Sequence, residues 1–231
     1  NRARFLLAAV TATRAAVGPD FPISVKLNSA DFQKGGFNFD DSLQVVQWLE
    51  NASVDLVEIS GGTYEQPALM GADGIEEKEE QNLAPSTKAR EAYFVDFAKA
   101  MQDAVKVPLM VTGGFRTRAA MESALASGAA DLIGLGRPMC VTTDAPKQLL
   151  AGVEALPRYE DRLRLLPDWL DFLMRFQLVK AVASFAVIFW FYEQLENLGR
   201  SGKTDPRLSV FKAFRAVEAR NKRILAARSP A

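Results

Sequence analysis

The chain contains no histidine. That removes the side chain most used for proton transfer near neutral pH and the commonest metal ligand, and no metal site is expected. Its one cysteine, Cys140, excludes an internal disulfide and fits a reducing compartment. Beside Met139 it is expected to be a small apolar filler. Net charge is formally zero over 231 residues, so no overall field draws the chain to nucleic acid. No signal-peptide pattern opens it, and a cytoplasmic location is expected. Uncharged runs are short: Ala181 to Tyr192 has twelve residues, against about 20 needed to span a bilayer. Gly134-x-Gly136 lacks the third glycine of a dinucleotide fingerprint, since Met139 stands there, and no Walker A pattern exists.

What is present is apolar and periodic. With 48% of its residues apolar, the chain can bury a core as one large or two small domains. The organising stretch is Val107 to Arg137. Pro108 to Thr112 is a short apolar strand that ends at Gly113-Gly114, where missing side chains expose backbone amides. Thr117 is placed to cap the next helix, Met121, Ala124 and Leu125 give it an apolar face, and Gly128 suits a left-handed cap. Asp131 to Leu135 forms another strand, followed by Gly136 and Arg137. Two successive parallel strands thus deliver glycines and an arginine to one rim. In a β/α barrel, the loops after strands seven and eight form a phosphate site of this kind. Taken singly, Gly-Gly also serves as a plain tight turn, and an arginine at a strand end is often only solvated.

The remaining chain extends the pattern. Arg2 to Val17 is expected to be a helix stopped by Gly18-Pro19. Phe21 to Asn28 is a strand with Ile23, Val25 and Leu27 on one face and Lys26 on the other, which faces the barrel interior. An interior lysine needs a negative partner. Glu58, on the strand Val54 to Ser60, has the parity to pair with it, and a bound anionic group would serve equally. Phe39 to Asn51 supplies the intervening helix. Gly61-Gly62 ends the second strand, and the long segment Thr63 to Arg90 is expected to be a lid with a solvated acidic run. Within it, Tyr64 and Gln66 are candidates to touch a substrate. Ala92 to Val105 is a further helix. Four parallel strands cannot close into a barrel, so the expected architecture is an open sheet or half of a barrel.

Ser24-Val-Lys-Leu-Asn-Ser-Ala-Asp-Phe32, Val111-Thr-Gly-Gly-Phe-Arg116 and Gly134-Leu-Gly-Arg-Pro138, in this order, resemble the C-terminal half of the old yellow enzyme (NADH:flavin oxidoreductase / NADH oxidase) family. The likeness covers roughly Asn1 to Leu150. It implies the second half of a TIM (β/α)8 barrel, α/β in class, and FMN as cofactor. Gly113, Gly114 and Phe115 would present amides to its phosphate, and Gly136 with Arg137 would close the same pocket. Lys26 would stand beside the flavin N1 and C2 carbonyl, where negative charge collects on reduction. The family takes hydride from NADH or NADPH and passes it to an electron-poor acceptor. Its substrate-activating pair, His with His or Asn, and its proton-donating tyrosine come from the first half of the barrel. With Asn1 rather than Met at its start, the chain is expected to be the downstream part of a longer enzyme, with little activity of its own. The catalytic residues are left unassigned.

Past Pro157 the composition changes. Residues 165–231 are rich in Leu, Trp and Phe, then basic, with eight Lys or Arg from Lys203 onward against Asp205 and Glu218. The expected division is a flavin-binding half-barrel over 1–150 and a helical extension over 151–231. The uncharged run is expected to be a helix buried against the barrel or a second subunit in preference to membrane attachment. The basic end is expected to dock on the acidic body or on anionic lipid, so that homo-oligomer or membrane-surface contact through 165–231 is open while nucleic acid, for which no binding motif is present, is not expected. Two alternatives stand beside the flavin enzyme with its small-molecule substrate: a synthase or isomerase barrel that holds a phosphorylated metabolite, and a non-catalytic interaction protein acting through its tail.

Overall fold

The computed structural model describes residues 2–29, 36–60 and 97–228. They fall into two compact units, one holding the described residues up to Leu135 and the other running from Gly136.

The first unit alternates helix and strand. Helix α1 (Arg4–Val17) ends at Gly18, whose φ of 85° only glycine adopts without strain. Strand β1 (Ser24–Asn28) leads to α2 (Phe39–Asn51), which starts in a full capping box: the Asn38 side chain accepts from the Asp41 amide, and Asp41 accepts from the Asn38 amide. Strand β2 (Leu56–Ser60), helix α3 (described over 97–102), β3 (Leu109–Thr112), α4 (Arg118–Ala126) and β4 (Leu132–Gly134) follow. The strands are two to three residues shorter at their N-terminal ends than the apolar runs suggest for β1 and β2. Thr117 caps α4 as expected, accepting from the Ala120 amide, and Gly128 takes a φ of 68° just past it. Leu125 differs from expectation. It is 43% exposed, while Met121 and Ala124 alone carry the buried face.

The sheet has the order β1-β2-β3-β4 with every neighbour parallel. Alternation along each strand separates two faces. Val57, Ile59, Leu109 and Val111 are fully buried, and the first three join Val46, Leu49 and Met101 of the helices in one core cluster. The opposite face carries Lys26, Glu58, Met110 and Leu132 in one register layer and Asn28, Ser60, Thr112 and Gly134 in the next.

Polar groups tie down the N-terminal ends of the strands. Asp55 accepts from the Ile23 amide at 2.7 Å, Glu50 from the Lys106 and Val107 amides, and Asp131 from the Leu109 amide at 2.8 Å. Arg14, on α1, reaches Asp55 and also donates to the carbonyls of Gly18, Phe21 and Ser53. The Ile23 amide and the Arg14 guanidinium hold the Asp55 carboxyl below the ordinary carboxylate range.

The second unit starts with a 3-10 turn (Arg137–Cys140) and α5 (Ala145–Leu150), then two more 3-10 segments (Tyr159–Arg162 and Asp168–Arg175). Two long helices close it, α6 (Gln177–Ser201) and α7 (Val210–Arg228). Its core gathers Val141, Tyr159, Ala186, Trp190, Phe191, Val210 and Ala213. The Trp190 indole donates to the Leu208 carbonyl at 2.7 Å, so its one polar atom is satisfied. The uncharged run of twelve residues lies inside a 25-residue helix, which by length and composition could cross a membrane. The run alone underestimates the helix because Gln177, Lys180 and the residues after Glu193 continue the same turns.

Candidate functional site

The two ends of the sheet are built differently. Carboxylates pin the N-terminal ends, whereas the C-terminal ends carry hydroxyls, an amide side chain and glycines. This is the asymmetry expected when one rim holds the fold and the other is left for chemistry.

At the C-terminal rim, Asn28, Ser60, Thr112 and Gly134 lie side by side in register. Ser60 Oγ donates to Asn28 Oδ1 at 3.4 Å, and the Asn28 carbonyl accepts from Ser42 Oγ at 3.0 Å. The Thr112 hydroxyl is buried and has no hydrogen-bond partner among the described residues. Such a group costs about 1–3 kcal/mol unless something else satisfies it. Its space exists because residue 134 is glycine: a Cβ there would stand 1.7 Å from Thr112 Oγ1. The sequence places Thr112 at a strand end but does not single it out, because an unsatisfied hydroxyl is a property of packing.

Gly113 and Gly114 follow directly with φ of 132° and 79°, values that point consecutive amides out of the strand direction. Among the described residues, nothing accepts from the amides of Gly113, Gly114 or Phe115. The Phe115 ring is 1% exposed and anchors the turn. The structure thus brings Thr112, Gly113, Gly114 and Phe115 together at the end of β3, just before α4, with free donors suited to an oxyanion.

Lys26 lies one layer below, on the face away from the core. Its ammonium pairs with Glu58 at 2.5 Å, so the expected pair is formed. The Lys26 side chain nevertheless stays 56% exposed, against 17% for Glu58. One of three donors is committed, and the others can meet a second anionic group.

Gly136 and Arg137 open the second unit. Gly136 precedes the 3-10 turn with φ −94°, so glycine is not demanded there by backbone strain. Arg137 is half exposed and pairs with Glu160 at 3.5 Å, a partner not anticipated from sequence. Three residues on, burial raises the Cys140 thiol above its ordinary range, so it stays protonated at neutral pH and acts as filler in the second unit's core. Tyr64, Gln66 and the expected lid fall outside the described residues.

Comparison with known proteins follows the same residues. The family model described as NADH:flavin oxidoreductase / NADH oxidase matches residues 1–155. The NADH-dependent flavin oxidoreductase iliE of Neonectria sp. (strain DH2) is 41% identical over 148 residues, 64% of this chain and 19% of its own length. The NADH-dependent flavin oxidoreductase iccE of Talaromyces variabilis is 30% identical over 204 residues, 88% of this chain and 48% of its own length. A solved 2-naphthoyl-CoA reductase in complex with 2-naphthoyl-CoA superposes with a TM-score of 0.54 at 27% identity, covering 65% of this chain and 21% of that one. The chain therefore spans between a fifth and a half of the length of these relatives.

Proposed function

The chain belongs to the NADH:flavin oxidoreductase / NADH oxidase family, and on that premise we propose that it is the FMN-binding portion of an NADH-dependent flavin reductase, half of a barrel of the old yellow enzyme type. The observation that carries the reading is the end of β3, where the partnerless Thr112 hydroxyl is followed at once by the amides of Gly113, Gly114 and Phe115, beside a residue that must lack a Cβ. The amides of Gly113, Gly114 and Phe115 fit a phosphate ester, being consecutive donors fixed by the backbone, and the Thr112 hydroxyl, buried against Gly134, adds its donor by turning about its side-chain bond.

In this reading the Gly113–Phe115 amides hold the FMN phosphate and Thr112 adds a hydroxyl donor. Gly136 and Arg137 join them on grounds of sequence, since they follow Gly134 by two and three residues. Arg137 would then exchange its exposed pair with Glu160 for a charge-assisted contact. Lys26 places a positive charge by the flavin's pyrimidine edge, and Glu58 fixes the direction of its side chain. When bound, FMN supplies two-electron hydride chemistry between the nicotinamide donor and an electron-poor acceptor. NADH is proposed as donor because three relatives at 30–41% identity are named NADH-dependent, while an NADPH dehydrogenase of Bacillus pumilus (strain SAFR-032) stands at 26%. Tyr64 and Gln66 stay proposed as substrate contacts.

The test is a titration of the purified protein with FMN, followed by flavin fluorescence and absorbance, with riboflavin in parallel. FMN should bind at least tenfold more tightly than riboflavin. Arg137→Ala should weaken FMN by roughly 10- to 100-fold, the value of a hydrogen bond to a charged group, and leave riboflavin unchanged. Thr112→Val should weaken FMN less, and Thr112→Ser should restore it. Equal affinities for FMN and riboflavin would remove the phosphate site, and a protein that takes up neither would remove the flavin reading.

A further inference from the structure

Helix α6 has two apolar faces, and the described residues cover the second only around Phe189, where Phe214 stacks on it. Ala183, Ala186, Trp190 and Gln194 are buried on the first. Leu178, Val182, Phe185 and Tyr192 recur at helical spacing on the other and are 77%, 39%, 47% and 44% exposed. No charge interrupts the chain between Lys180 and Glu193. The 3-10 segment just before α6 adds Trp169 and Phe172, and the joining residue Phe176 follows, all exposed, with the Arg175 guanidinium over the Phe172 and Phe176 rings at 5.9 and 4.9 Å. Phe214 of α7 stacks on Phe189 of α6 at 5.8 Å, which sets the basic helix alongside. On α7, Arg215, Lys222, Arg223 and Arg228 are all exposed.

Three occupants could cover such a face, and the charges choose between them. A membrane-spanning α6 would carry Glu193 into hydrocarbon. That carboxylate is 6% exposed and held by Arg200 at 3.2 Å and Arg220 at 2.6 Å, while Gln194 exchanges hydrogen bonds with the Asp205 backbone. The exposed stripe from Leu178 to Tyr192 is also only about 21 Å long at 1.5 Å per residue, short of the roughly 30 Å hydrocarbon core. A second copy would bring together two surfaces that each hold six surplus positive charges from Lys203 onward. An anionic lipid surface satisfies both features at once, taking the apolar stripe into its acyl boundary and the basic helix against its headgroups.

We propose that the second unit is an interfacial membrane anchor, with α6 lying in the plane of an anionic leaflet through Leu178, Val182, Phe185 and Tyr192. The proposal is independent of the flavin reading. It is tested by co-sedimenting the purified full chain with vesicles of phosphatidylcholine alone or mixed with phosphatidylserine. Binding to the mixed vesicles should be at least tenfold tighter and should fall as salt rises. Leu178→Ser with Phe185→Ser should lower it tenfold or more, with circular dichroism unchanged because both side chains are exposed in the free protein. Lys222→Glu with Arg223→Glu should abolish the preference for phosphatidylserine and leave binding to phosphatidylcholine as it was. Equal or absent binding to the two vesicle types overturns the proposal. So does a concentration-dependent dimer in light scattering that Phe185→Ser dissolves, which would assign the face to a second copy. Resistance of vesicle-bound protein to alkaline carbonate would assign α6 to the bilayer interior and overturn it equally.

Discussion

At the scale of single residues, the rim of the sheet depends on an exchange of volume between Thr112 and Gly134. The glycine is not there for backbone freedom. It is there because the threonine side chain fills the place of its missing Cβ, 1.7 Å from Oγ1. Gly134→Ala must therefore push β4 away from β3 or rotate Thr112, and overpacking of this kind costs about 1–3 kcal/mol. Thermal denaturation of the variant should show the loss. Thr112→Ala should recover only part of it, since the β-carbon of Thr112 itself lies 2.8 Å from the added atom. A Gly134→Ala protein as stable as the parent would mean that the strands separate freely, and with that the fixed position claimed for the hydroxyl is lost.

Among the elements, α1 is joined to the strands through Arg14, whose guanidinium meets Asp55 and the carbonyls of Gly18, Phe21 and Ser53. Asp55 has its folded-state pKa lowered by the Ile23 amide and Arg14. A lowered carboxylate pKa adds stability that is fully present above the unfolded-state value, about 3.9, and is lost as pH falls through the folded value. Asp55→Asn should thus melt below the parent at neutral pH, and the gap should close in acid below about pH 4. Melting temperatures measured from pH 7 to pH 3 check this, and a gap that does not change with pH would show that the contact does not depend on charge. Sequence pattern found α1, β1 and α2 but not this clamp. Arg14 and Asp55 are 41 residues apart in sequence, and nothing local marks them as partners.

For the whole molecule, the described residues pack a core on one face of the sheet and leave parts of the other exposed. Lys26, at 56% side-chain exposure, and Leu132, at 44%, sit on the second, as they would in a barrel whose interior is completed by other strands. With no histidine in its 231 residues, this chain lacks the imidazoles that the family resemblance assigns to substrate activation. NADH oxidation driven by an electron-poor alkene should stay at background for these residues alone, even with FMN bound, and turnover above background would locate the activating groups here instead. The sequence by itself determined the alternation of strand and helix, the α2 boundaries at Phe39 and Asn51, the cap at Thr117 and the Gly113-Gly114 turn, because periodicity, capping and glycine chemistry act within a few residues. It also fixed the parity that sets Lys26 opposite Glu58. Only the tertiary structure decided that Thr112 keeps a buried hydroxyl without a partner, that Arg137 pairs with Glu160, and that α6 buries one apolar face while Leu178, Val182 and Phe185 on the other stay exposed. Those outcomes depend on which distant surfaces meet, and no short stretch of chain encodes that.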